Sequence, residues 1–134
     1  MENILQKYLE LIRDFQEKLK SEYHITENPW VHAGKRVPNS GLIGDYSYQY
    51  HGSGVTINKS GIICEYDVAP LSEYEIKFSL WKFNAFIKSH PEFKSLNYDD
   101  KYVKGELDSL VIRGVLELLN IDGRVFQIYQ VNLA

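Results

Sequence analysis

The chain has 134 residues, 44% of them hydrophobic and 25% charged, with a formal net charge of -3. That composition predicts one compact domain over residues 1–134 that buries its own core, and it excludes disordered and fibrous classes. A single cysteine, Cys64, excludes an internal disulfide, the amino terminus lacks the features of a signal peptide, and no stretch reaches the roughly 18 uninterrupted apolar residues of a membrane span, so a cytoplasmic protein is expected.

Ile4, Tyr8, Leu11, Ile12, Phe15 and Leu19 recur at helical spacing, with Glu10, Arg13, Asp14, Glu17 and Lys18 on the other side. They predict an amphipathic helix from about Glu2 to Glu22. Pro29 and Pro38, with Gly34, Gly41 and Gly44, then predict a long loop over 24–44. Loops of that length often carry function, which draws attention to Trp30 and His32, although a large aromatic more often serves as a lid on the core.

From Tyr46 the period changes to two. Tyr46, Tyr48 and Tyr50 alternate with Ser47, Gln49 and His51, and turns at Gly52-Ser53 and at Asn58 to Gly61 lead into Val55–Ile57 and Ile62–Asp67. The result is a three-stranded antiparallel meander. Those turn lengths set Tyr50 against Val55, Val55 against Cys64, and Ile57 against both Tyr48 and Ile62. One face then holds Tyr46, Tyr48, Tyr50, Val55, Ile57, Ile62, Cys64 and Tyr66, and the wet face holds Gln49, His51, Thr56, Ile63, Glu65 and Asp67.

Ser72 to Glu75 matches a capping box and predicts a helix start just after Pro70. Ile76, Leu80, Phe83 and Ile87 make one stripe on that helix, and Phe78, Trp81 and Ala85 a second, so it needs covering on two sides. It ends near His90-Pro91. A further helix runs from about Asp99 to a Gly114 terminator, and Val115 to Ile121, Asp122-Gly123 and Arg124 to Val131 form a hairpin. The predicted fold class is α+β: N-terminal helix, three-stranded antiparallel meander, two helices and C-terminal β-hairpin.

His51, Glu65 and Asp67 on the wet face are the residue types needed for shared proton work, though an ordinary solvated sheet face contains the same types. Cys64 falls on the apolar side, away from His51, which suits inert packing better than nucleophilic chemistry. The four histidines and Cys64 lack the short repeated spacing of zinc ligands, and His51-Gly52-Ser53-Gly54 lacks the lysine of a phosphate loop, so neither metal nor cofactor is expected. The acids Asp99, Asp100, Glu106 and Asp108 on the last helix argue against direct nucleic-acid binding.

Charge is uneven along the chain. Residues 37–75 carry Asp45, Glu65, Asp67, Glu73 and Glu75 against Lys59 alone, whereas residues 76–98 carry Lys77, Lys82, Lys88 and Lys94 against Glu92. Acidic charge mixed with tyrosine suits a surface for a basic protein partner.

The run from Gly44-Asp45-Tyr46 through Tyr50-His51-Gly52-Ser53-Gly54 to Glu65-Tyr66-Asp67, with the helical Leu80-Trp81-Lys82-Phe83, resembles a family of small bacterial proteins with a Tyr/Phe-His-Gly-x-Gly turn. Such proteins look like cytosolic immunity proteins of polymorphic-toxin and contact-dependent growth inhibition systems. The resemblance implies binding of a cognate toxin domain, such as a basic nuclease, without catalysis. Expected partner-binding residues are Asp45, His51, Glu65, Asp67, Glu73, Tyr74, Glu75 and Trp81. Two rivals remain: a small enzyme using His51 with Glu65 or Asp67, and a regulatory domain that dimerises through Phe78 and Trp81.

Overall fold

In a computed structural model the described residues are 1–68 and 76–131. The fold is α+β. Helices α1 (Glu2–Tyr23), α2 (Leu80–Ser89) and α3 (Asp100–Ile112) accompany strands β1 (Ser40–Ile43), β2 (Tyr46–Tyr50), β3 (Gly54–Lys59), β4 (Ile62–Asp67), β5 (Lys77–Ser79), β6 (Leu116–Ile121) and β7 (Arg124–Val131). Among the described residues all seven strands join one antiparallel sheet in the order β1-β2-β3-β4-β5-β7-β6. The expected separate meander and hairpin are therefore two halves of one sheet. No helix among the described residues is long and apolar enough to cross a membrane.

The helix α1 forms where its period predicts, burying Ile4, Leu5, Tyr8, Leu9, Ile12, Phe15 and Leu19. The meander also buries the predicted face, with Tyr46, Tyr48, Val55, Ile57, Cys64 and Tyr66 all in the core. Its second register is corrected by two residues. Ser60 and Gly61 both take positive φ, 53° and 89°, so a two-residue turn replaces the expected four-residue one and Ile57 lies opposite Cys64. An even shift leaves every side chain on its predicted face.

Two strands were not expected. The first, β1, lies in the predicted loop and pairs with β2 across the Gly44-Asp45 turn, burying only Ile43. The second, β5, replaces the start of the predicted long helix. Phe78 is extended there, fully buried, and packs against Tyr8, Phe83 and Tyr129 with ring centroids 5.2–5.8 Å apart. The helix begins instead at Leu80, capped by the Ser79 hydroxyl, which accepts from the Lys82 backbone N–H at 3.4 Å. The expected capping box at Ser72 to Glu75 lies outside the described residues.

Pairing between β4 and β5 is confined to Asp67 and Lys77, so the rest of that edge of β4 finds other partners. Ser89 Oγ accepts from the Ile63 N–H at 2.8 Å, and the Tyr8 hydroxyl donates to the Glu65 carbonyl. Side chains from α2 and α1 thus replace a missing strand.

Buried tyrosines tie the sheet to its helices in the same way. Tyr46 donates to Asp14 on α1, Tyr129 to Asp108 on α3 at 2.7 Å, and Tyr48 to the Pro38 carbonyl at 2.7 Å. Lys18 with Tyr46, and Lys104 with Tyr129, hold the Asp14 and Asp108 carboxyls below their usual range. Carboxyl groups depressed by folding add stability that is complete above their unfolded pKa and is lost as pH falls through the folded value. Acid unfolding of the double variant Asp14→Asn, Asp108→Asn is therefore expected to show a weaker pH dependence below about pH 4 than wild type. Denaturation midpoints measured from pH 7 to pH 2 check this, and parallel curves for both proteins would contradict it.

Candidate functional site

The turn motif Tyr50 to Gly54 joins β2 to β3, with the His51 N–H donating to the Gly54 carbonyl at 2.8 Å. Trp30 stacks on Tyr50 at 5.2 Å, nearly parallel, and donates its indole N–H to the Tyr66 hydroxyl at 3.1 Å. Trp30 is therefore the lid of the core and takes no part in a surface site. His32 meets Glu27 within the same connection and stabilises its charged form.

Beside the turn, five groups join in a line on the wet face. His51 Nε2 meets Thr56 Oγ1 at 3.1 Å, and Thr56 Oγ1 donates to Glu65 Oε1 at 3.2 Å. Lys82 Nζ from α2 then lies 3.9 Å from Glu65 Oε2 and 2.5 Å from Asp67 Oδ1. The Lys82 side chain is only 17% exposed. This placement is unusual, because a lysine in the first helical turn faces the positive end of the helix dipole, and the two carboxylates offset that cost.

The structure brings His51, Glu65 and Asp67 together, as the sequence suggested, but with Thr56 between histidine and acid and with both acids already paired to Lys82. Asp45 stands apart. It lies in the β1–β2 turn, beside the Ile62 end of β4, roughly 16 Å along the sheet from Asp67 at about 3.3 Å per residue. Glu73, Tyr74 and Glu75 lie outside the described residues. Of the expected acidic patch, Glu65 and Asp67 have internal counter-charge in Lys82 and Asp45 lies at the other end of the sheet, while Tyr46, Tyr48 and Tyr66 are buried on the face predicted for them.

The depression beside His51, about 370 Å³, is lined by Ser47, Tyr48, Gln49, Thr56, Asn58 and Ile63. It offers the imidazole no carboxylate or amine partner. Cys64 is buried and its thiol is pushed up by desolvation, which removes it as a nucleophile. Among the described residues no three metal-ligating side chains gather.

Trp81 is the most exposed aromatic side chain among the large hydrophobics of the described helices and meander, ahead of Tyr102 on α3. It sits on the first turn of α2 with 79% of its surface exposed, directly before the half-buried Lys82. Leu80, Asn84, Ala85, Lys88 and Asp100 continue from it into an apolar groove of about 340 Å³ between α2 and α3. The groove floor is fixed by Asn84, which is nearly buried and donates to Asp100 Oδ1 at 2.9 Å, with Lys88 Nζ 3.7 Å from the same oxygen.

Residues 1–130 match the model of one protein family, described as a domain of unknown function (DUF6896). The chain belongs to the DUF6896 family. No curated protein and no solved structure matches it. In this DUF6896 domain the sequence pointed to Trp81 and to the His51 face but missed Thr56, Lys82, Asn84, Lys88 and Asp100. Lys82 left one signal, a basic residue three positions after a capping serine.

Proposed function

We propose that this domain is a cytosolic immunity protein, without catalytic chemistry, that docks a cognate toxin domain through Trp81 and the groove running from it between α2 and α3. Of the other expected contact residues, Glu65 and Asp67 meet Lys82, the neighbour of Trp81, and His51 connects to Glu65 through Thr56. The observation that carries the reading is the exposure of Trp81. An isolated domain gains nothing from holding a large apolar side chain in water beside an apolar groove, and tryptophan is among the residues most enriched at the energetic centres of protein interfaces. The resemblance carried by the Tyr50 to Gly54 turn and the Trp81 helix supports a toxin as the partner.

Charge plays a smaller part than the sequence implied. With Glu65 and Asp67 engaged by Lys82, attraction for a basic nuclease comes from the net charge of -3 spread over the surface, which favours approach more than grip. In the enzyme reading His51 reaches Glu65 only through Thr56, and Glu65 already faces Lys82. A dimer built on the Phe78 stripe lacks Phe78, which is inside the core.

Co-expression tests the proposal. The carboxy-terminal domain of a large protein encoded next to this chain should, on this reading, arrest growth when expressed alone, wild-type chain should restore growth, and Trp81→Ala should not, with unchanged folding; a neighbourhood without such a domain would count against the reading. Restoration by Trp81→Ala, or no protection by wild type, would overturn the reading.

A further inference from the structure

The last glycine of the Tyr50 to Gly54 turn has a spatial reason to be glycine. A Cβ on Gly54 would lie 3.1 Å from the Tyr66 carbonyl oxygen and 3.2 Å from Lys82 Nζ, with Asp67 Oδ1 at 4.0 Å. The backbone carbonyl belongs to the β3–β4 ladder and cannot step aside, so an added methyl group pushes on the ammonium. The same ammonium donates to Asp67 and lies 3.9 Å from Glu65 of β4, and Glu65 reaches back through Thr56 to His51. The turn and the first turn of α2 are thus built around one half-buried cation.

That first turn also carries Trp81. Helix ends fray unless something ties them, and the Ser79 cap at 3.4 Å is a long hydrogen bond. Lys82 supplies the stronger tie, a charge-assisted contact to two carboxylates on a central strand. Trp81 precedes it by one residue and is exposed to water, so the backbone that Lys82 ties down sets the position and Cα–Cβ direction from which the indole projects. We propose that Lys82, seated against Gly54, is the positioning residue that holds Trp81 in its presenting orientation through its ion pairs with Asp67 and Glu65. The turn motif then serves the docking surface at a distance, and this role rests on the reading of Trp81 as the docking residue.

The chain has two tryptophans, one buried and one exposed, so incorporation of 5-fluorotryptophan gives two fluorine resonances, with Trp81→Phe assigning the second. In the full-length protein, Lys82→Met and Gly54→Ala should each shift and broaden the Trp81 signal while leaving that of Trp30 in place. Lys82→Arg, which keeps the charge and the donors, should return it toward wild type. In the double variant Gly54→Ala, Lys82→Met the change at Trp81 should be smaller than the sum of the two single changes, because both act on the Lys82 contact while only Gly54→Ala also meets the Tyr66 carbonyl. Asp67→Asn provides a milder removal of charge should either variant fail to fold, with a smaller shift in the same direction expected. An unchanged Trp81 signal in these variants, or equal changes at Trp30, would overturn the proposal. No toxin enters this measurement, so its failure leaves the docking reading standing, and a failed protection assay leaves the positioning role standing.

Discussion

Replacing Tyr8 with alanine is expected to lower the unfolding free energy by about 3–5 kcal/mol, the cost of truncating a large aromatic in a packed core. Tyr8 is fully buried on α1 and meets Phe78, Phe83 and Phe86 edge-on, with centroids 5.2–5.4 Å away, so its ring joins β5 and α2 to the first helix. Its hydroxyl covers the Glu65 carbonyl on the open edge of β4. Burial also pushes the phenol pKa well up, which keeps that hydroxyl a donor through the whole accessible pH range. Tyr8→Phe separates the two roles: the ring stays and the carbonyl loses its donor, for about 1–3 kcal/mol. Urea denaturation of both variants measures the difference. Equal losses would mean that the hydroxyl carries the effect, and a neutral Tyr8→Phe would mean that water reaches the β4 edge.

Much of this architecture was legible one element at a time. The 3.6-residue period gave α1, the two-residue period assigned each meander residue to its face, and Asp122-Gly123 gave the final turn, where both residues do take positive φ. What stayed hidden depends on long-range contacts. Lys77-Phe78-Ser79 continues a helical pattern into Leu80, and only pairing with Ile128 to Gln130 of β7 makes it a strand. Ser40 to Ile43 has one buried residue and no alternation to display. The register error came from giving Asn58 and Lys59 to a turn, when Ser60 and Gly61 suffice.

The site was legible in its residues but not in its partnerships. His51, Glu65 and Asp67 could be placed on one face from register alone, yet the lysine that neutralises the two acids comes from a helix 15 residues beyond Asp67. Counting charge along the chain put acids and bases in successive blocks, and folding sets one block against the other. Trp81 and Phe78 shared a predicted stripe, and the change from strand to helix between them sends one side chain inward and the other into solvent.

Trp81→Ala is the substitution with the largest expected effect on binding. A tryptophan at the centre of a desolvated contact contributes about 2–4 kcal/mol by truncation, roughly a 30- to 800-fold weakening of Kd. The fold should hardly notice, since a side chain 79% exposed loses little packing, and a change within about 0.5 kcal/mol is expected in denaturation. Titration calorimetry of the purified toxin domain against wild type and Trp81→Ala is the most direct measurement. Tight binding by wild type with a loss of at least 30-fold in the variant, at unchanged stability, is the predicted result; equal affinities would contradict the account.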